Sequence, residues 1–537
     1  MKRSPPPAIA LHNTLLREGR LSRRDILLAA VGLAGTALLP APLRAQSARQ
    51  RFAGSPFTLG VASGYPTPDG MTLWTRLAPL PLQPDGGVGR DEVLPVTWQV
   101  AEDETFATVV VEGRQRAVSE LAHSVHVDVR GLRPARPYFY RFLCGDEVSP
   151  VGRTRTAPAP GAAVDRLRFA IGSCQHYEQG YFAAHRHVAD DAPDLMIFLG
   201  DYIYESSWGD DLVRRYVGEE PHALGEYRVR HAQYKADADL QRSHAAMPWL
   251  VTWDDHEVDN DHADAQSEYL DPRFLQRRAA AYQAYYEHMP LPGAMRPRPD
   301  GGLRLHTEVR WGAHARILML DGRQYRSPQA CPDALKGGGG RTIEHGDCAD
   351  LDATGRSLLG PAQERWLDDA LARRGWRWNI LAQTTLMSAH DEMPGPEHSI
   401  RTDRWDGYPR TRDAVLSMLE RHRVANPLVV GGDIHATVLA DLKRDPFDPR
   451  APILASEVCG TSISSQGAKQ EEFARSAALN PHFRFARSDR RGYCLLTLER
   501  DARIDVRALE DVKRRDSGIE TLGRFAIANG TPGIQQA

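Results

Sequence analysis

The sequence predicts an α/β protein, with a layered domain of alternating strands and helices preceded by a small all-β module of the fibronectin or immunoglobulin type. Three observations carry the prediction. At 537 residues the chain is too long for one ordinary domain. From Phe57 to Thr156, short strands of alternating polarity are separated by turn residues. From Leu167 onward, apolar runs of strand length alternate with longer segments of helical period.

The all-β module is expected over residues 51–157. Its strands are read at 71–76, 96–100 and 124–129, and 132–142 resembles the turn and penultimate strand of a fibronectin-type sandwich. No polar constellation falls within it, so it is read as accessory. The A-P-A-P-G run at 157–161 is read as a linker. The α/β domain is expected over 165–512. Strand 167–171, helix 181–190 and strand 195–199 form a β-α-β unit. Further strands are read at 249–253, 317–320, 379–383, 428–430 and 452–456, and further helices at 274–288, 361–373 and 412–421. Strands 493–498 and 503–509 complete a sheet edge, and 513–537 is read as a peripheral polar tail.

Residues 1–45 read as an export leader. Arg23 and Arg24 precede a short run rich in Ala, Gly and Leu, and Leu43-Arg44-Ala45 offers a cleavage point. An amphipathic N-terminal helix is the bland alternative. The run is too short for a secure membrane span, and no other stretch is long and apolar enough, so the mature protein is expected to have no transmembrane segment. The leader makes the twin-arginine export machinery a partner and the periplasm or exterior the destination. That compartment permits disulfides, and Cys331 with Cys348, flanking a Gly-rich loop, is the expected pair among six cysteines. A net charge of −3 supplies no global basic field, so no stable nucleic-acid partner is expected.

Four of the expected strands end in residues that can ligate. They run into G-S-C-Q at Cys174, G-D-Y-I-Y-E at Asp201 and Tyr204, W-D-D-H-E at Asp255 and His256, and G-G-D-I-H-A-T at Asp433 and His435. Ligands of α/β sheets bind just beyond the carboxyl ends of strands. Singly, each motif has a plain structural explanation: a turn-forming Asp, a small buried Cys, a hydrogen-bonded core His. Four at once point to one shared metal site. Carboxylates crowded at a sheet edge repel one another unless a cation neutralises them. Asp201, Asp255 and Asp433 are hard oxygen donors, while phenolate and thiolate at neutral pH require a strong Lewis acid such as ferric iron. Two cations sharing one carboxylate suit in-line displacement at phosphorus.

Together these motifs resemble, in order and character, the PhoD-type alkaline phosphatases and phosphodiesterases, relatives of the purple acid phosphatases among the metallophosphatases. The stretches L-D-G-R-Q-Y-R from Leu320, L-L-G-P-A-Q from Leu358 and D-R-W-D-G-Y from Asp403 agree as well. Gly322 departs from the pattern, where Thr is expected. The resemblance covers nearly the whole chain. It implies a metallophosphatase β-sandwich flanked by helices, Fe3+ and Ca2+ as cofactors, and attack on phosphate esters by a bridging oxide or hydroxide. Carried across, Cys174, Asp201, Tyr204 and His435 bind iron, Asp201 bridges, and Asp255 and Asp433 bind calcium. His256 is expected to contact the phosphate or protonate the leaving group, or else to orient Asp255. Arg323 and Tyr325 are candidate substrate contacts, with a structural ion pair the other role for Arg323. Trp405 and Tyr408 are candidates for the mouth, with core packing as the equal alternative.

The expected substrates are small organic phosphate esters. A phosphodiesterase acting on phospholipid, teichoic acid or nucleic acid is the neighbouring reading. An exported binding or adhesion protein is the reading of another class, but it has no need of ligands at four separate strand ends.

Overall fold

The computed structural model of the chain describes residues 52, 54–298, 301–395 and 397–537. The leader read at 1–45 lies outside them. Two mixed sheets dominate. In the first, Leu167–Gly172, Leu195–Leu199 and Pro248–Thr252 lie side by side and parallel, with Ile197 opposite both Ile171 and Leu250. In the second, Ala315–Met319, Trp378–Ala382, Pro427–Gly431 and Ala455–Cys459 are parallel neighbours. Leu195–Leu199 and Pro427–Gly431 read as continuous apolar runs because both faces of each sheet are covered. Ile171, Ile197 and Leu250 meet Ile317, Ile380 and Val430 in one core cluster between the sheets. The alternate residues Leu318, Leu381 and Val429 turn outward, onto Leu367, Leu371, Val415 and Leu419 of the helices Pro361–Ala372 and Pro409–Arg421. On the outside of the first sheet, Phe198 and Trp249 stack at 5.6 Å, and His185 of the helix Ala183–Asp191 packs on Trp249 at the same distance. The layers therefore run helix, sheet, sheet, helix. Among the described residues no helix is long and apolar enough to cross a membrane.

Two sequence expectations change. The all-β region is present, but three of its strands belong to the main sheet. Val61–Thr67 pairs in parallel with Pro248–Thr252, and Gly70–Arg76 and Ser124–Val129 extend the same sheet outward. A small sheet containing Leu94–Ala101 and Pro137–Cys144 packs on that extension, burying Val96, Tyr140 and Phe142 against Leu73 and Val125. The junction needs a glycine: a Cβ on Gly64 would lie 2.7 Å from the carbonyl oxygens of Trp249 and Pro290. Ala157, read as the start of a linker, is buried, and its N–H bonds Thr67 O. The tail is likewise not peripheral. Ile519–Ile527 adds a strand beside Ala502–Leu509 and buries Phe525 and Ile527. The Cys331–Cys348 disulfide is present, closing a loop of sequence separation 17.

Candidate metal centre

The parallel strands Leu167–Gly172, Leu195–Leu199 and Pro248–Thr252 release their chains at one edge of the first sheet, and Pro427–Gly431 does so from the facing sheet. At each exit the backbone turns sharply. Cys174, Asp201, Asp433 and His435 all hold positive φ, at 56°, 55°, 66° and 52°. Non-glycine residues adopt this region only when their surroundings enforce it. Here the enforcement is visible. Cys174 N bonds Gly200 O at 3.1 Å and Gln175 N bonds Asp201 O at 3.0 Å, stitching the first two loops. The buried Glu257 carboxylate then accepts from the N–H groups of Asp201 (3.1 Å), Tyr202 (2.7 Å) and Asp254 (2.9 Å), clamping the second loop to the third.

These turns bring the sequence-predicted ligands together. Potential ligand atoms of Cys174, Asp201 and His435 lie within 4.8 Å of one another, as do those of Asp201, Asp255 and His256. Asp201 belongs to both groups. Tyr204 Oη lies 3.0 Å from Asp201 Oδ2 and 2.9 Å from His435 Nε2. Asp433 lines the same cavity, accepts from Thr385 Oγ1 and sits 3.7 Å from Arg404 Nε. Burial, and then the charge of Asp201, push the Cys174 thiol and the Tyr204 phenol well above their ordinary values. Burial works against charge on Asp255 too, but Arg323 and His256 outweigh it and hold that carboxyl below its usual range. His256 hydrogen-bonds Glu205 Oε2 through Nδ1 at 2.7 Å and faces the cavity.

The remaining expectations divide. Arg323 is fully buried and committed to structure. Its guanidinium bonds Asp254 through Nε (2.7 Å) and Nη2 (3.1 Å), and Asp403 through Nη1 (3.0 Å) and Nη2 (2.8 Å). It is the ion pair of the two roles expected. Tyr325 packs at 5.8 Å against His306, in a separate cavity beside Trp366. Trp405 and Tyr408 belong to the core rather than the mouth. Trp405 Nε1 donates to Gln383 Oε1 at 2.9 Å and Tyr408 Oη to Ser327 O at 2.7 Å, and both rings pack in the apolar cluster beneath the second sheet. Their amphipathic rings suit either location, and the partner that decided it lies far away in the chain.

A fifth segment escaped the sequence reading. After the strand Ala455–Cys459 the chain runs alongside the Cys174 loop, bridging Ser462 to Ser173. Ser465 Oγ reaches Tyr204 Oη at 2.9 Å, and Gln466 O accepts from His435 Nδ1 at 2.6 Å. The second contact fixes the tautomer that turns Nε2 toward the cluster. A run of small polar residues, T-S-I-S-S-Q, carries no ligand signal of its own. The cavity above measures about 850 Å³, and Trp208, Asp261, Tyr269, Lys336 and Arg401 are among its lining residues.

The donor set fits cations. Among the described residues, Asp201 Oδ1 is buried without a hydrogen-bond partner, and Asp201 is the residue common to the two ligand groups. A buried, unpaired carboxylate oxygen is costly. A cation accepted there by Asp201, Cys174, Tyr204 and His435 removes the cost and reverses the upward push on thiol and phenol. The third acidic group, Asp255 with Asp261 and Asp403, is different: Asp403 is already held by Arg323, by Arg326 Nη1 at 2.8 Å and by Gln329 Nε2 at 2.6 Å.

Known proteins share this sequence pattern and fold. The family described as PhoD-like phosphatase matches residues 169–506, and its N-terminal domain matches 43–158. The chain is 40% identical over 504 residues to alkaline phosphatase D of Bacillus subtilis (strain 168), covering 91% of this chain and 84% of that one. A solved structure described as that of PhoD superimposes with a TM-score of 0.85 at 40% identity, covering 91% of this chain and 93% of the other. With the family's model spanning most of the chain and a relative 40% identical over 91% of it, the chain belongs to the PhoD-like phosphatase family.

Proposed function

We propose that this chain is an exported, metal-dependent hydrolase of phosphate esters with alkaline phosphatase activity, acting at a ferric and calcium centre. Family membership supports the ester chemistry, and the twin-arginine pattern in residues 1–45 supports export. Iron is assigned to Cys174, Asp201, Tyr204 and His435, and calcium to the side of Asp255 and Asp433, with Asp201 shared. Bound there, the cations neutralise the phosphoryl oxygens and lower the pKa of attacking water.

The protein's own groups do the rest. Glu257 and the left-handed turns fix Asp201, so little reorganisation accompanies the reaction. Glu205 occupies Nδ1 of His256, leaving Nε2 to hydrogen-bond the phosphate or to hand a proton to the departing alkoxide. Arg323 holds Asp254 and Asp403 behind the site, so that Asp255 faces the cavity from a rigid frame.

The observation that carries this reading is that Asp201, which belongs to both ligand groups, keeps a buried Oδ1 with no hydrogen-bond partner among the described residues. Asp201→Asn tests it. The variant is expected to fold, to lose both metals on elemental analysis and to lose nearly all turnover of a phosphomonoester. Retained metal with retained turnover contradicts the assignment.

A second reading, hydrolysis of phosphodiesters with an apolar arm, is favoured by the rim. The cavity is roomier than a phosphate group needs, and Tyr269, which lines it, is 65% exposed. Beside it lie Leu270 and, next to the lining Lys336, Leu335, which is 96% exposed. Turnover of a monoester against a phospholipid or teichoic-acid diester, each with iron and calcium supplied, separates the two readings.

A further inference from the structure

We infer that Ser465 is a positioning residue for the Tyr204 phenolate, holding it through a hydrogen bond that no other described residue replaces. The inference rests on the metal centre proposed above, and it follows from counting protons around two oxygens.

Ser465 Oγ is fully buried and has three neighbours. His176 N donates to it at 3.0 Å, while Cys174 O and Tyr204 Oη lie at 2.8 Å and 2.9 Å. The hydroxyl has one proton for those two acceptors. Cys174 O already accepts from Ser465 N at 3.2 Å and Ser464 N at 3.3 Å, so it does not depend on the hydroxyl. Tyr204 Oη has no such supply. Its other neighbours are Asp201 Oδ2 and His435 Nε2, at 3.0 Å and 2.9 Å. As a neutral phenol, Tyr204 donates its own proton to one of them. As a metal ligand it has lost that proton, and the carboxylate and imidazole are ligands themselves and offer none. His435 Nδ1 keeps its proton for Gln466 O. Ser465 is then the remaining donor, and a charge-assisted bond to phenolate is a strong one.

Rigidity follows from the backbone. Ile463 N bonds Ser173 O at 2.9 Å, and Ser462 bridges Ser173, so the loop is laced to the strand end that carries Cys174. Gln466 N is fixed by Gln179 Oε1 at 2.6 Å. A Cβ on Gly467 would sit 2.4 Å from His435 O, so the chain leaves the site along a path that admits glycine. One short segment therefore touches the Cys174, Tyr204 and His435 positions at once. Outer partners of this kind orient ligands and tune their electron donation.

The test uses the full-length, iron-loaded protein and its visible phenolate-to-iron absorption. A hydrogen bond withdraws electron density from the phenolate, so Ser465→Ala is expected to move the band to longer wavelength with iron content retained. Turnover is expected to fall about 10- to 100-fold through kcat. Ser465→Thr, which keeps the hydroxyl, is expected to restore the band. If Ser465→Ala keeps its iron and its band does not move, this inference is wrong while the metal centre stands. A colourless, iron-free wild type overturns both. Should the alanine variant fail to fold, the wild type decides alone. Its phenolate C–O stretch in resonance Raman spectra is expected to shift between H2O and D2O, and an unshifted stretch contradicts the bond.

Discussion

Asp201 carries the largest load of any residue here. It holds left-handed backbone, presents a buried and unpaired oxygen, and lies within reach of both halves of the centre. A left-handed non-glycine residue costs on the order of 1–3 kcal/mol, and four of the assigned ligands adopt that conformation. Such strain persists where neighbours over-determine it, and Glu257 with its three N–H partners does so for Asp201. The residue before it is as constrained. Gly200 has φ of 96°, and a Cβ there would stand 2.6 Å from Asp254 Cβ and 2.7 Å from Asp254 N. Gly200→Ala is therefore expected to destabilise the fold by about 1–3 kcal/mol and to reduce metal content by parting the second and third loops. Chemical denaturation and elemental analysis check it; a variant with wild-type midpoint and metals refutes the close approach. The six residues proposed as ligands stood out in the sequence because each follows a strand-length apolar run. Ser465 did not, because its importance lies in contacts with Cys174 and Tyr204, nearly 300 and about 260 residues away. Trp405 and Tyr408 show the reverse limit, since residue type suits a mouth or a core alike.

Among elements, the parallel strands were the easiest to locate, and Phe274–His288 has the bounds its periodicity predicted. Other helices were hidden by their composition. Leu224–Lys235 buries Arg230, His231, Gln233 and Lys235, so its sequence, L-G-E-Y-R-V-R-H-A-Q-Y-K, shows no apolar stripe. Polar residues inside a large enzyme blur the pattern that burial otherwise writes. The C-terminal strand was lost for a similar reason. In Ile519–Ile527 most side chains are only partly buried, and two aromatic or aliphatic anchors carry the packing. Ending the chain after Lys513 is expected to remove about 3–6 kcal/mol through the lost burial of Phe525 and Ile527 alone. It also uncovers the long edge of Ala502–Leu509, an invitation to aggregation. A truncated protein with an unchanged denaturation midpoint contradicts this and restores the peripheral tail.

On the scale of the whole molecule, strands from both sides of residue 157 share the first sheet. Composition set an all-β region apart from an α/β region, but it could not show that Val61–Thr67 joins Pro248–Thr252 across the first sheet. That joint is long-range pairing, fixed by Gly64 and by no local signal. Its consequence is mechanical: the sheet edge that holds Asp201 and Asp255 is stiffened by strands from both regions. The two sheets bring the proposed ligands to one cavity, Cys174, Asp201 and Asp255 from the first and Asp433 and His435 from the second. Packing between the sheets therefore sets the spacing of the centre. Anomalous diffraction from a crystal of the metal-loaded protein, collected across the iron absorption edge, tests this most directly. One iron peak bonded by Cys174 Sγ, Asp201, Tyr204 Oη and His435 Nε2 is expected, with a lighter cation on the Asp255 side sharing Asp201. Iron bound elsewhere, or a clear absence of density among those four groups in protein that hydrolyses phosphate esters, would contradict it.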